Sequence, residues 1–253
     1  MKIAVCIKQV VTREWPLRVN DAGTWVRDRD ASFEMNEPDA YALEEALRLK
    51  ERHGGEVIVC SAGPARVAQV IREGLARGAD RAIHIQSDQL AAADAHTVAI
   101  SLASALQAEG CELILTGLQS DDQGFGQTGV LLAERLGIPH GTIIIEIAFT
   151  AGQLRVKREL EGGWFQWVSM PVPALLTIQS GINQLRYATL KGIMAAKKKE
   201  VRTVIPDVEL DDQHRLVELY SPQRGKRTQF IEGAPTEAAK ELVRVLREDA
   251  RVF

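Results

Sequence analysis

The residues best placed to do chemistry lie at 117–129, where Gly117, Gln119, Ser120, Asp121, Asp122, Gln123, Gly124, Phe125, Gly126, Gln127 and Thr128 follow an apolar strand-like run and lead into helical spacing at 130–136. Glycines in that setting let backbone amides approach an anion, and the first turn of a helix adds free N–H groups and a favourable dipole. The chemistry on offer is phosphate binding. The spacing matches neither the Walker pattern nor GxGxxG, and Asp121 and Asp122 would repel a phosphate if they faced it. On glycine content alone, a flexible turn is an equally good reading.

A second segment, Met35, Asn36, Glu37, Pro38 and Asp39, precedes a helical stretch, with Pro38 suited to the first turn and Asn36 or Glu37 to the cap. Taken alone this is ordinary capping. In a doubly wound sheet, however, the loops after the strands' carboxyl ends line one crevice, so Cys6, Ala62 and the 117–129 loop are expected to converge there, where a nucleotide would lie.

A third segment, 185–199, sets Leu190, Ile193 and Met194 among Lys191, Lys197, Lys198 and Lys199. It reads either as a solvated helix or as a docking surface that joins apolar anchors to steering charge. Catalytic signatures do not emerge. The five histidines are scattered without ligand spacing, Ser61 and Ser120 lack a nucleophile elbow, and Cys6, Cys60 and Cys111 lie far apart in apolar runs. The chain is read as having no catalytic residues of its own.

The elements that must position these segments follow from hydrophobic periodicity. Short β-rich runs at 3–10, 57–61, 82–86 and 112–117 alternate with helical spacing at 39–50, 65–77 and 94–108. Nearly continuous apolar strands imply that both sheet faces are covered, giving a Rossmann-like three-layer α/β/α core with a mostly parallel sheet. An insertion at 17–26 reads as a short hairpin around Asn20 and Gly23. Four further strand-like runs, 142–149, 154–160, 164–170 and 174–179, read as an antiparallel extension of the same sheet. Beyond 190 the chain turns basic, then acidic over 207–212, with a helix only at 237–247. That low apolar content suits an arm that wraps a partner, so the division expected is a nucleotide-binding domain at 1–190 and an arm at 191–253.

A formal charge of −3 over 253 residues supplies no basic field for nucleic acid. No targeting segment and no apolar run long enough for a membrane span is legible, so a cytoplasmic location is expected.

Several of these stretches together resemble the electron-transfer flavoprotein beta subunit: VCIKQV near the start, the Met35–Pro38 segment with Glu44, Glu45 and Ala46 after it, Ser61 to Pro64, Gly78 to His84, the 117–129 loop, and Arg186 to Leu190 leading to the triple lysine. The resemblance runs along almost the whole chain in one order. It implies an obligate heterodimer with an alpha subunit that mainly holds FAD, while this chain buries AMP as a structural ligand. By position, Cys6, Asn36–Asp39, Ala62 and the 117–128 loop match the family's AMP-contacting segments. Leu190 matches the anchor of a loop that docks on flavin dehydrogenases of the acyl-CoA dehydrogenase kind, and Glu159 matches an acidic residue at the alpha interface. A quinone-linked oxidoreductase is the implied acceptor. Arg13 stands where some members carry an aromatic, with Trp15 nearby, and Ala195 stands where some carry a lysine. Flavin-bifurcating relatives hold a second FAD in place of AMP, but Gln127, Thr128 and Gly129 and the 193–199 run are similar to the AMP-binding group. A stand-alone adenine-nucleotide-binding protein on a similar fold is the remaining alternative.

Overall fold

In the computed structural model, which describes residues 1–150, 152–206, 212–222 and 228–252, the chain begins with β1 (Lys2–Cys6) and β2 (Gln9–Val11), followed by β3 (Phe33–Met35) and α1 (Glu37–His53). Next come β4 (Glu56–Gly63), α2 (Ala68–Arg77), β5 (Arg81–Gln86), α3 (Ala95–Leu106), β6 (Leu113–Gly117) and α4 (Thr128–Leu136). Then follow β7 (His140–Thr150), β8 (Gln153–Glu159), β9 (Phe165–Met170), β10 (Ala174–Ile178), α5 (Leu190–Ala196), β11 (Val201–Val204) and α6 (Pro235–Glu248).

One nine-stranded sheet runs in the order β11-β5-β4-β1-β6-β10-β7-β8-β9. Pleating sends Ile3 and Val5 to one face, where they meet Leu43 and Leu47 of α1 and Ile71 and Leu75 of α2. Ala4 and Cys6 go to the other, against Leu102 and Leu106 of α3 and Leu132 of α4. The result is the three-layer α/β/α architecture expected of apolar strands covered on both faces. β1 pairs in parallel with both β4 and β6, so the chain winds outward in two directions from β1 and leaves a switch point beside it.

Three features depart from the sequence reading. The strand expected at 3–10 divides after Cys6, because the Lys8 amide donates to the Asp39 carboxylate at 2.7 Å instead of to a neighbouring strand. Gln9–Val11 then pairs with β3 in a separate antiparallel ribbon. The run at 174–179 does not belong to the antiparallel extension: β10 lies between β6 and β7, parallel to both. All five of its residues are buried, as a strand covered on both faces requires, and within the main sheet the antiparallel pairs are β7–β8 and β8–β9.

Beyond 190, 237–247 is not the only helix. Leu190–Ala196 is helical as α5, and Val201–Val204 extends the main sheet beside β5. A four-residue edge strand after a lysine run carries too short a period to read. The expected 17–26 hairpin is present as one Val19–Val26 bridge, with Asn20 accepting the Thr24 amide at 3.0 Å. The acidic residues 207–211 lie outside the described residues, as does Ala151 of the expected β7–β8 turn. No described helix is long and apolar enough to cross a membrane.

Candidate functional site

At the switch point, the segments leaving β1 and β6, the end of β4, and the first turns of α1, α3 and α4 enclose a crevice whose empty space, open mouth included, is about 820 Å³. Its walls contain Cys6, Asn36, Asp39 and Ala62, and from the glycine-rich loop Gly117, Gln119, Ser120, Gln123, Phe125, Gly126, Gln127 and Thr128. Glu37, Pro38, Asp121, Asp122 and Gly124 stand outside that lining. Gly129, the last residue of the expected loop, lines it too, and so do residues the sequence reading did not place there: Lys8 and the apolar Leu90, Ala93 and Val98. A lysine directly after an apolar strand was the available signal for Lys8.

Asn36 and Asp39 build this site by holding its parts together. Asn36 sits at the cap position of α1 but makes no side-chain cap. Its Nδ2 donates instead to the Gln119 carbonyl at 2.9 Å, and its Oδ1 accepts the Asp121 amide at 2.9 Å. Asp39 reaches the other way, accepting from the amides of Lys8 at 2.7 Å and Gly117 at 2.8 Å. Burial pushes its carboxyl up to about 7, even though the two amides favour the charged form. Gly117 is required at its position, since a Cβ there would fall 2.7 Å from Pro38 Cβ and closer still to Asp39 Oδ1.

The repulsion expected from Asp121 and Asp122 is reduced locally. Asp121 pairs with Arg13 at 3.3 Å and accepts the Glu37 amide at 3.3 Å, and Arg13 also pairs with Glu37. Asp122 pairs with Lys8 Nζ at 2.7 Å and accepts the Gln123 amide at 2.7 Å. Meanwhile the amides of Gln127, Thr128 and Gly129, at the start of α4, donate no hydrogen bond among the described residues. That helix end is packed tightly onto the sheet: a Cβ on Gly129 would lie 2.6 Å from Thr177 Cγ2 and 2.8 Å from Thr116 Oγ1. Residues with free amides at the start of α4 and Lys8 line the same crevice, an arrangement that can bind a phosphate beside apolar residues suited to a base. These features fit a nucleotide. No group of three or more metal-ligating side chains occurs among the described residues.

The 185–199 segment lies elsewhere, against α1 and α2. Arg186 clamps it, binding Glu44 at 2.7 and 3.1 Å and Glu51 at 2.6 and 3.2 Å. Thr189 caps α5 by accepting the Gly192 amide at 3.0 Å, and Gly192 lets α5 approach the Ala76 carbonyl more closely than any side chain would permit. Leu190 is consequently held rigidly while 84% exposed, next to exposed Ile193 and Met194. Lys191, Lys197 and Lys198 are exposed, whereas Lys199 is partly buried and donates to the Leu75 and Ala79 carbonyls at the end of α2. Glu159 ends β8, opposite Phe165 of β9, far along the sheet from the crevice. On that strand pair Lys157 Nζ lies 4.5 Å from the Phe165 ring centroid and Arg155 lies 4.6 Å from that of Trp167.

The family model described as electron transfer flavoprotein domain matches residues 24–209. The chain is 35% identical to the electron transfer flavoprotein subunit beta of Methylophilus methylotrophus, over 98% of each chain. It is 34% identical to the protein of that name in Bacillus subtilis, over 90% of this chain and 91% of that one. Against the Homo sapiens protein it is 33% identical, over 100% of this chain and 99% of that one.

Proposed function

The chain belongs to the electron transfer flavoprotein family, among its beta subunits, and from that premise we propose that it is the AMP-holding half of a heterodimeric electron carrier of the cytoplasm. The alpha subunit mainly holds FAD, which supplies the one- and two-electron chemistry when bound. This chain's own residues bind a structural nucleotide and present a docking surface. They carry no bond-making step.

The observation that supports this reading most is one crevice, at the switch point of the sheet, lined both by Gln127, Thr128 and Gly129 with their free amides and by Lys8. Leu190 and its neighbours engage flavin dehydrogenases of the acyl-CoA dehydrogenase kind, and a quinone-linked oxidoreductase receives the electrons. The arm beyond β11, including α6, none of whose residues is buried, packs on the alpha subunit.

Co-expression with an alpha subunit, followed by a count of bound nucleotide, tests the proposal. One FAD and one AMP per heterodimer is the expected result, and Gly126→Val, placed at a φ of +63° that disfavours a β-branched residue, should lose the AMP. Two FAD per heterodimer would replace this reading with the bifurcating one. A chain that stays monomeric beside the alpha subunit would leave only a nucleotide-binding protein.

A further inference from the structure

On the reading that the crevice takes a nucleotide, we infer that Lys8 and Asp122 decide how many phosphate groups it carries, the first matching one and the second opposing more. Among the described residues lining the crevice, Lys8 is the sole cation and Asp39 the sole carboxylate. Both Asp39 oxygens are already committed to backbone amides, which leaves Lys8 as the side-chain charge that answers a phosphate.

The Lys8 ammonium has three donors, directed to Ser120 Oγ at 3.4 Å, Gln123 Oε1 at 2.9 Å and Asp122 Oδ1 at 2.7 Å. Ser120 and Gln123 line the crevice and Asp122 does not. The cation therefore sits between the crevice and an acidic rim. On that rim Asp121, Asp122 and Glu37 pair, among the described residues, with Arg13 and Lys8 alone, so the acids outnumber their cations by one. A single phosphate gains the free amides of α4 and a share of Lys8. A second brings one further negative charge to a crevice whose only described lining cation is committed and whose rim is net acidic, and like charges at close range oppose binding. Discrimination between a nucleoside monophosphate and a diphosphate then resides in the Lys8–Asp122 pair.

Titration calorimetry of the nucleotide-depleted full chain, alone and with its co-expressed partner, against AMP, ADP and adenosine tests this. Wild type is expected to prefer AMP to both others. Lys8→Met should weaken AMP by about tenfold or more, since a charge-assisted contact is lost, while adenosine changes little. Lys8→Arg should keep the preference for AMP over adenosine. Asp122→Asn should narrow the AMP-to-ADP ratio by about threefold or more, and it decides the question if Lys8→Met fails to fold. An unchanged AMP-to-adenosine ratio in Lys8→Met, or an unchanged AMP-to-ADP ratio in Asp122→Asn, overturns the inference while leaving nucleotide binding intact. A wild-type chain that binds no adenylate overturns the functional reading itself.

Discussion

The carboxylate of Asp39 accepts the amide of Gly117 at 2.8 Å across 78 residues of sequence, and its second oxygen accepts the amide of Lys8 at 2.7 Å. One side chain at the start of α1 thereby ties together the ends of β1 and β6, the two strands that flank the crevice.

Stability should carry the signature of this group. Burial raises the Asp39 carboxyl from 3.8 to about 7, so between those values the folded chain holds a proton that the unfolded chain has released. Stability must then decline as pH rises through that window, by on the order of 4 kcal/mol at most at about 1.4 kcal/mol per unit. Asp39→Asn should abolish the decline while costing about 1–3 kcal/mol throughout, because one of the two amides loses its acceptor. Urea unfolding of both proteins at pH 5 and pH 8 is the measurement. Parallel pH dependences would show that Asp39 titrates normally.

Asp94 should behave in the opposite sense. Burial acts to raise its carboxyl, but the amides of Thr97, His214 and Gln213 outweigh that and bring it down to about 2. Its contribution is fully present above the ordinary carboxylate range and is lost as pH falls through about 2. The same residue caps α3 at Thr97 and clasps the arm at Gln213 and His214, at 2.7 and 2.9 Å. Asp94→Ala should cost about 1–2 kcal/mol through the lost cap. It should also open residues 212–222 to protease in the isolated chain. Protection of that segment identical to wild type would place its anchorage elsewhere, Leu219, whose amide donates to the Gly23 carbonyl, being the next contact.

Electron delivery should depend on Leu190 through Arg186. An exposed leucine that fills an apolar pocket on a partner contributes about 1.5–3 kcal/mol, so Leu190→Ala should slow reduction by a substrate-reduced dehydrogenase roughly tenfold or more. Arg186→Met frees the loop from Glu44 and Glu51 and should slow the same step while keeping the FAD content. Combined with Leu190→Ala it should add little, since the two act through one contact. Stopped-flow rates for the two single variants and the double variant decide this, and fully additive effects would mean that Arg186 does not position Leu190.

The lysines of 191–199 should divide into two groups. Neutralising Lys191, Lys197 and Lys198 should slow association at low ionic strength and matter little at high salt, as screening predicts for exposed steering charges. Lys199→Ala should instead lower the unfolding temperature, because its ammonium satisfies two carbonyls at the end of α2. A salt-dependent rate defect in Lys199→Ala without loss of stability would reverse this division.

Much of this molecule was legible along the chain because its information is local. Apolar runs of four to eight residues alternating with helical spacing specify covered parallel strands and crossover helices, and glycines placed between β6 and α4 mark a loop whose backbone can approach an anion. The segment 35–39 and the 117–129 loop could accordingly be assigned to one crevice before any contact was known. What sequence could not supply was pairing, which depends on groups distant along the chain. The run at 174–178 resembles its antiparallel neighbours in composition, and only the space between β6 and β7, covered on both faces, makes it parallel. Lys8 reads as a strand residue until the Asp39 carboxylate takes its amide and turns its side chain toward Asp122. Asp121 and Asp122 look hostile to a phosphate until Arg13 and Lys8 stand beside them. Lys199 looks like its exposed neighbours until the carbonyls of Leu75 in α2 and of Ala79 just beyond it receive it. In each case the residue type fixes what a group can do, and the three-dimensional neighbour, through burial, charge or an available hydrogen bond, decides what it does.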